Sequence, residues 1–134
     1  MHAVESENTW RPLKVVVAGG GTGGHLFPGI AVAGEFVVRN PQSRILFVGA
    51  GRPFEKEALA RAGYPHRTIA IEGIKGRGLW AKARAAMKIP GALFHSAGIL
   101  AEAQADLVVG VGGYATGPVA LAAWIKGIPV VLCE

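Results

Sequence analysis

Two glycine-rich segments contain the residues of this sequence that are best suited to bind an anion. Residues 23–25 read Gly-Gly-His and residues 112–114 read Gly-Gly-Tyr, and a Pro and another Gly follow each segment closely. Glycine lets a backbone approach a ligand, and a helix N-terminus offers unpaired N–H groups with a partial positive charge. Side by side, the two segments would form a site for a polyanion, most simply a diphosphate. If they lie apart, their glycines serve only tight strand-to-helix turns.

Each segment also carries a ring side chain that could act on a ligand. His25 is the candidate general base, because imidazole exchanges protons near neutral pH. It could instead cap the helix or hydrogen-bond the ligand. Tyr114 holds the matching position in the second segment, where its ring could contact the ligand or simply pack. The other histidines are scattered and lack the spacing of a metal site, so we expect no metal and no cofactor.

The first segment permits an alternative function. Residues 19–24 satisfy the G-x-G-x-x-G pattern of dinucleotide-binding domains, which also have an acid at the end of the second strand. Residues 48–52 contain no acid there, but Arg52 could bind a 2′-phosphate. An NADP-binding oxidoreductase domain therefore remains the alternative. A P-loop is excluded, because no Gly-Lys-Ser/Thr follows the glycines.

The net charge of +5 is concentrated in one stretch. Residues 73–101 contain five Lys or Arg and no acid, and Leu79 and Trp80 lie among these cations. A basic amphipathic stretch is typical of contact with an anionic membrane surface or with nucleic acid. The aromatic residues that interleave with cations in nucleic-acid platforms are missing, so we expect no nucleic acid. The stretch could equally be a solvated helix face with Trp80 in the core.

Alternating strands and helices must position these groups. Strands are predicted over 13–18, 45–48, 67–72, 107–111 and 128–133, and helices over 26–39, 54–62, 79–104 and 119–126. We expect Pro90 to split the third helix into two pieces. This alternation predicts an α/β, Rossmann-like parallel sheet in the order 3-2-1-4-5. Strands 1 and 4 are then neighbours, and both glycine segments reach the crevice where such sheets bind ligands.

Composition bounds the kind of protein. A hydrophobic share of 51% against 17% charged residues excludes intrinsic disorder, and a single cysteine excludes a disulfide-built scaffold. Two long uncharged runs are broken by Gly and Pro, so we expect buried strands and helices there instead of membrane spans. We predict a flexible leader over residues 1–12 and one domain over 13–134. Because the sequence stops directly after a predicted strand, we expect it to be part of a longer protein.

Three segments together resemble one family. Residues 20–29 (GGTGGHLFPG), 112–118 (GGYATGP) and 127–131 (GIPVV) are similar to the MurG family, the UDP-N-acetylglucosamine:N-acetylmuramyl-(pentapeptide) pyrophosphoryl-undecaprenol N-acetylglucosamine transferases of bacterial peptidoglycan synthesis. Residues 73–78 (GIKGRG) resemble the basic loop after that family's third strand. The resemblance implies the N-terminal, acceptor-side half of a two-domain GT-B glycosyltransferase.

The resemblance further implies an activity and its setting. The family transfers N-acetylglucosamine from UDP-N-acetylglucosamine to the 4-hydroxyl of the muramyl sugar in lipid I, with inversion, and forms lipid II. It works at the cytoplasmic face of the inner membrane, where it serves cell-wall growth, cell shape and cell division. The domain that supplies most of the donor pocket is absent from this sequence. We therefore expect these 134 residues to be inactive alone.

Residue roles carried over from the family complete the expectation. The residues expected at the substrates are Thr22, Gly23, Gly24, Lys75, Arg77, Gly112, Gly113, Tyr114 and Glu134. The glycines would hold the acceptor diphosphate, with Thr22 near the donor, and His25 would be the base on the 4-hydroxyl. Leu79, Trp80 and Trp124 would join a membrane face. Cys133 is a departure, because the family usually has a histidine there.

Overall fold

Helices and strands alternate along the whole described chain. A computed structural model of the protein describes residues 11–20, 22–70 and 78–133. The elements are β1 (Lys14–Ala18), α1 (Gly23–Arg39), β2 (Arg44–Gly49), α2 (Pro53–Ala62), β3 (His66–Thr68), α3 (Leu79–Ala103), β4 (Leu107–Gly110), α4 (Thr116–Ile125) and β5 (Val130–Leu132). The strands form one parallel sheet in the order β3-β2-β1-β4-β5, which confirms the predicted fold class and strand order.

Helices cover both faces of this sheet. Successive residues of β1 point to opposite sides, so Val15 and Val17 pack into one core while Val16 and Ala18 pack into the other. The first core includes residues of α1 and α2, and the second includes residues of α3 and α4. Burial on both faces explains why the strands are continuously apolar. The polar chemistry must then lie at the ends of the strands.

Two helices begin earlier than the sequence predicts. Helix α1 starts at Gly23 instead of Leu26, and α4 starts at Thr116 instead of Val119. Glycine disfavours helix interiors, which is why the pattern points to later starts. The Gly-Gly-His sequence is nevertheless the first turn of a helix and not a preceding loop.

Helix α3 is continuous, and the predicted break at Pro90 is wrong. Pro90 lies inside the single helix Leu79–Ala103. It is exposed together with Ala86, whose carbonyl loses its intrahelical donor and can be hydrated instead. Further along, Ser96, Ile99 and Leu100 are buried and hold the helix on the sheet. None of the helices in the described part of the chain is long and apolar enough to span a bilayer.

Candidate functional site

The two glycine segments meet at the carboxyl ends of β1 and β4. The Gly20 N–H donates to the Gly112 carbonyl at 3.1 Å, so the backbones of the two loops are hydrogen-bonded. A Cβ on Gly113 would come within 2.5 Å of the Gly20 carbonyl oxygen, and Gly113 has a φ of +91°. A Cβ on Gly19 would lie 2.2 Å from the Gly112 oxygen. Contact this close requires glycine on both loops.

A threonine that the sequence did not single out ties these loops together. The Thr116 hydroxyl, in the first turn of α4, donates to the Ala18 carbonyl at 2.9 Å and accepts the Gly112 N–H at 3.1 Å. It therefore links the end of β1 to the loop after β4. The one available signal was its position at the start of a helix, which is a common place for threonine to bond backbone.

The structure brings Thr22, His25 and Gly112 into contact. His25 is half-buried in the first turn of α1, and its Nδ1 lies 3.3 Å from the Thr22 hydroxyl oxygen. Its ring covers Gly112, since a Cβ there would lie 2.7 Å from the His25 Cδ2 and 3.0 Å from Nε2. In the tautomer that donates from Nδ1 to Thr22, Nε2 keeps a free lone pair. That is the arrangement a general base needs.

The first turns of α1 and α4 contain unpaired backbone N–H groups. Thr22 is the N-cap of α1, and its carbonyl accepts from His25 and Leu26. The N–H groups of Gly23 and Gly24 have no acceptor among the described residues. At the start of α4, the Gly117 N–H likewise has no acceptor in the described chain. Two helix N-termini thus offer free donors at one edge of the sheet, which is an arrangement that binds anions.

A cleft of about 450 Å³ opens over these loops. The described residues that line it are Gly19, Gly20, Thr22, His25, Ala50, Arg52, Glu55, Gly113, Tyr114 and Ala115. Four of the expected site residues, Thr22, His25, Gly113 and Tyr114, are therefore brought together at one surface. Lys75, Arg77 and Glu134, which were expected beside them, lie outside the described residues.

The cleft is also lined by Glu55, which was not predicted as a site residue, and by Arg52, which was considered only as a ligand of a 2′-phosphate. Glu55 is only 3% exposed, and its Oε2 accepts the Gly51 N–H at 2.9 Å. Its Oε1 has no hydrogen-bond partner in the described part of the chain and lies 3.2 Å from where a Cβ of Gly20 would be. Arg52 precedes α2 as its N-cap and is exposed. The predicted strand order could have indicated these residues, because it places the end of β2 beside the end of β1.

The residues expected at a membrane lie away from the cleft. Leu79 and Trp80 begin α3 and are each 85% exposed, so the alternative that placed Trp80 in the core is wrong. Trp124 lies on α4 and is 74% exposed. Helices α3 and α4 pack on the same face of the sheet. Further exposed apolar side chains on α3 are Met87, Ile89 and Phe94.

Comparison with known sequences gives a family match over almost the whole described chain. Residues 15–134 match the glycosyltransferase family 28 N-terminal domain. A curated UDP-N-acetylglucosamine--N-acetylmuramyl-(pentapeptide) pyrophosphoryl-undecaprenol N-acetylglucosamine transferase of Myxococcus xanthus is 48% identical over 91% of this chain and 32% of its own length. The enzyme of that name from Geotalea uraniireducens is 52% identical over 83% of this chain and 30% of its own length. The chain thus spans about a third of these relatives.

Solved structures agree with the sequence matches. MurG of Acinetobacter baumannii superposes with a TM-score of 0.74 at 33% identity, over 90% of this chain and 34% of that one. The resemblance to the MurG family is therefore confirmed. A C-terminal domain of the PF1911 hydrogenase from Pyrococcus furiosus, at 16% identity and a TM-score of 0.63, covers 91% of both chains. At that identity it shares the fold alone.

Proposed function

Because the chain belongs to glycosyltransferase family 28 through its N-terminal domain, we propose that residues 13–134 are the acceptor-side domain of a transferase of peptidoglycan synthesis. The transferase moves N-acetylglucosamine from UDP-N-acetylglucosamine to lipid I and forms lipid II. The names of the curated relatives support this choice of donor and acceptor. Residues 1–12 serve as a leader outside the domain. The oxidoreductase alternative has only a shared fold in its favour.

The observation that carries the proposal is the contact between the two glycine segments. The Gly20-to-Gly112 hydrogen bond places the N-termini of α1 and α4 at one crevice. A diphosphate there accepts hydrogen bonds from the free N–H groups of Gly23 and Gly24 and gains from both helix dipoles. Because Gly113 carries no side chain, its loop can lie against Gly20, and both loops border the crevice. The glycines are thus the part of the domain that holds the acceptor.

His25 supplies the chemical step in this proposal. Its Nε2 takes the proton of the muramyl 4-hydroxyl as that oxygen bonds to C1 of N-acetylglucosamine. The bond from C1 to the UDP oxygen breaks on the opposite face, so the anomeric centre inverts. Thr22 supports the reaction by holding Nδ1, at 3.3 Å from its hydroxyl oxygen. Tyr114, which is 59% exposed in the cleft, contacts the acceptor.

The remaining expected residues complete the acceptor side. Lys75 and Arg77 add positive charge for the anionic acceptor, and Glu134 contacts substrate. Leu79, Trp80 and Trp124 meet the membrane in which the lipid chain of the acceptor is anchored. Their exposure supports this role, and so does the positive charge of α3, because cations near an anionic leaflet favour binding. The domain thereby works as a peripheral protein at the cytoplasmic face of the bacterial inner membrane.

A chimera tests the proposed activity. The chain spans about a third of its relatives, so we expect no lipid II from these 134 residues alone with UDP-N-acetylglucosamine and a lipid I analogue. Joined to the remaining two thirds of the Myxococcus xanthus relative, the chain should restore transfer, because donor and acceptor are then held together. Product is measured by chromatography. A well-folded chimera that binds UDP-N-acetylglucosamine but forms no product would contradict the proposal.

A further inference from the structure

The cleft extends over three neighbouring strand ends, and only two of them carry the glycine segments. The loops after β2, β1 and β4 are in contact in that order, since Glu55 lies against Gly20 and Gly113 lies against Gly20 from the other side. Adjacent strands are about 4.8 Å apart. The end of β2 is therefore one strand spacing from the first glycine segment, which is within reach of a long side chain.

A local capping interaction fixes the backbone at this third strand end. Pro53 is the first residue of α2, and Glu55 occupies the third position of its first turn. Proline at the first position and an acid at the third are both favourable at a helix N-terminus. The Glu55 carboxylate turns back to accept the Gly51 N–H at 2.9 Å. Arg52 lies between these two bonded residues, so its backbone is held in place.

The buried carboxylate favours a cation at this part of the cleft. Glu55 is 3% exposed and its Oε1 has no partner among the described residues, so little surrounds it to offset a negative charge. A phosphate over Gly20 would be repelled by that charge. Arg52 lines the same cleft and makes no ion pair with a described residue. Its guanidinium can offset Glu55 and bind phosphate oxygens with two parallel hydrogen bonds.

We infer that Arg52 is a binding residue for the acceptor diphosphate and that Glu55 is the positioning residue that holds the Arg52 backbone at the cleft. This inference rests on the proposed function, because it assigns a further residue to the same anion site. It also gives Arg52 a role other than binding the 2′-phosphate of a dinucleotide. The glycine segments supply neutral N–H donors, and Arg52 supplies the full positive charge among the described residues that line the cleft.

Titration with inorganic diphosphate tests this role in the 134-residue chain. We expect Arg52→Ala to weaken binding about tenfold, since hydrogen bonds to charged groups are worth more than neutral ones. Arg52→Lys should fall between Arg52→Ala and the wild type, because it keeps the charge and loses the fork. Arg44→Ala is the matched control: Arg44 is an exposed arginine at the opposite end of β2, so it removes the same charge away from the cleft. It should change binding less than about twofold.

The outcomes separate this inference from the proposed site. Equal affinities for Arg52→Ala and Arg44→Ala, combined with weak binding by Gly113→Ala, would overturn the role of Arg52 and leave the glycine site intact. If the wild type binds no diphosphate, or if Gly113→Ala binds as well as wild type, both the site and the inference are wrong. A salt dependence that is steeper for wild type than for Arg52→Ala supports the inference, because wild type has an additional full positive charge whose attraction for diphosphate is screened.

Discussion

His25 is the residue whose surroundings most resemble those of a working base. Its Nδ1 faces the Thr22 hydroxyl at 3.3 Å, and its ring lies against Gly112 at the mouth of the cleft. Any side chain at position 112 would displace that ring, since a Cβ there comes within 2.7 Å of it. A residue of the second glycine segment therefore limits where the His25 ring of the first segment can lie. This dependence supports the proposal that the two segments form one site.

His25→Ala is expected to lower kcat of the chimera by about 10²–10⁴-fold, the usual contribution of a general base. Acceptor affinity should fall much less, because backbone N–H groups do most of the holding. Steady-state kinetics with a lipid I analogue measure both quantities. His66→Ala, a histidine in edge strand β3 that does not line the cleft, is the matched control. A kcat for His25→Ala within about threefold of the control would make His25 a capping residue and not the base.

Helix α3 is the element that, in the proposed function, contacts the membrane surface. Its second half is buried against the sheet through Ile99 and Leu100, whereas its first half exposes Leu79 and Trp80. Exposed apolar side chains flanked by cations are typical of a helix that lies in a membrane interface. Because α3 continues through Pro90, its exposed first half and its buried second half belong to one helix.

Charge reversal on α3 should release the protein from anionic vesicles. Lys82→Glu with Arg84→Glu removes two exposed cations, each worth roughly 1 kcal/mol near an anionic leaflet, so binding should fall at least about tenfold. Arg44→Glu with Lys56→Glu makes the same charge change at exposed positions on β2 and α2, and should have a smaller effect. Co-sedimentation with phosphatidylglycerol vesicles measures both. Equal binding to neutral and anionic vesicles would rule out this membrane face.

The strands were predictable from the sequence, because burial on both faces of the sheet requires continuous runs of apolar residues. Val15, Val16 and Val17 are all buried in β1, and such runs gave both the strands and their order. The order in turn placed the two glycine segments together. The features that could not be predicted depend on contacts between residues that are far apart in the sequence. Neither the approach of Glu55 to Gly20 nor the continuation of α3 through Pro90 has a local sequence pattern.

The described part of the molecule is built on a parallel sheet, and the candidate site lies at the carboxyl ends of its strands. Both faces are covered by helices, and the cleft opens where β2, β1 and β4 end. Thr22, His25 and Tyr114 line the cleft beside β1 and β4, while Arg52 and the buried Glu55 line it beside β2. A ligand with an anionic centre and hydroxyl groups beside it fits this arrangement. The curated relatives extend over about three times this length, and we place the donor pocket in that remainder.

Two single-glycine variants allow a direct test of whether the paired glycine segments bind a diphosphate. Gly113→Ala puts a methyl group 2.5 Å from the Gly20 carbonyl at a φ of +91°, whereas Gly117→Ala meets no atom within 4 Å. The measurement is the calorimetric Kd for a soluble lipid I analogue and for the matching muramyl peptide monophosphate. We expect wild type and Gly117→Ala to prefer the diphosphate, and Gly113→Ala to lose that preference by about tenfold or more, since the loop must shift or strain. Equal diphosphate preference in all three proteins would contradict the site.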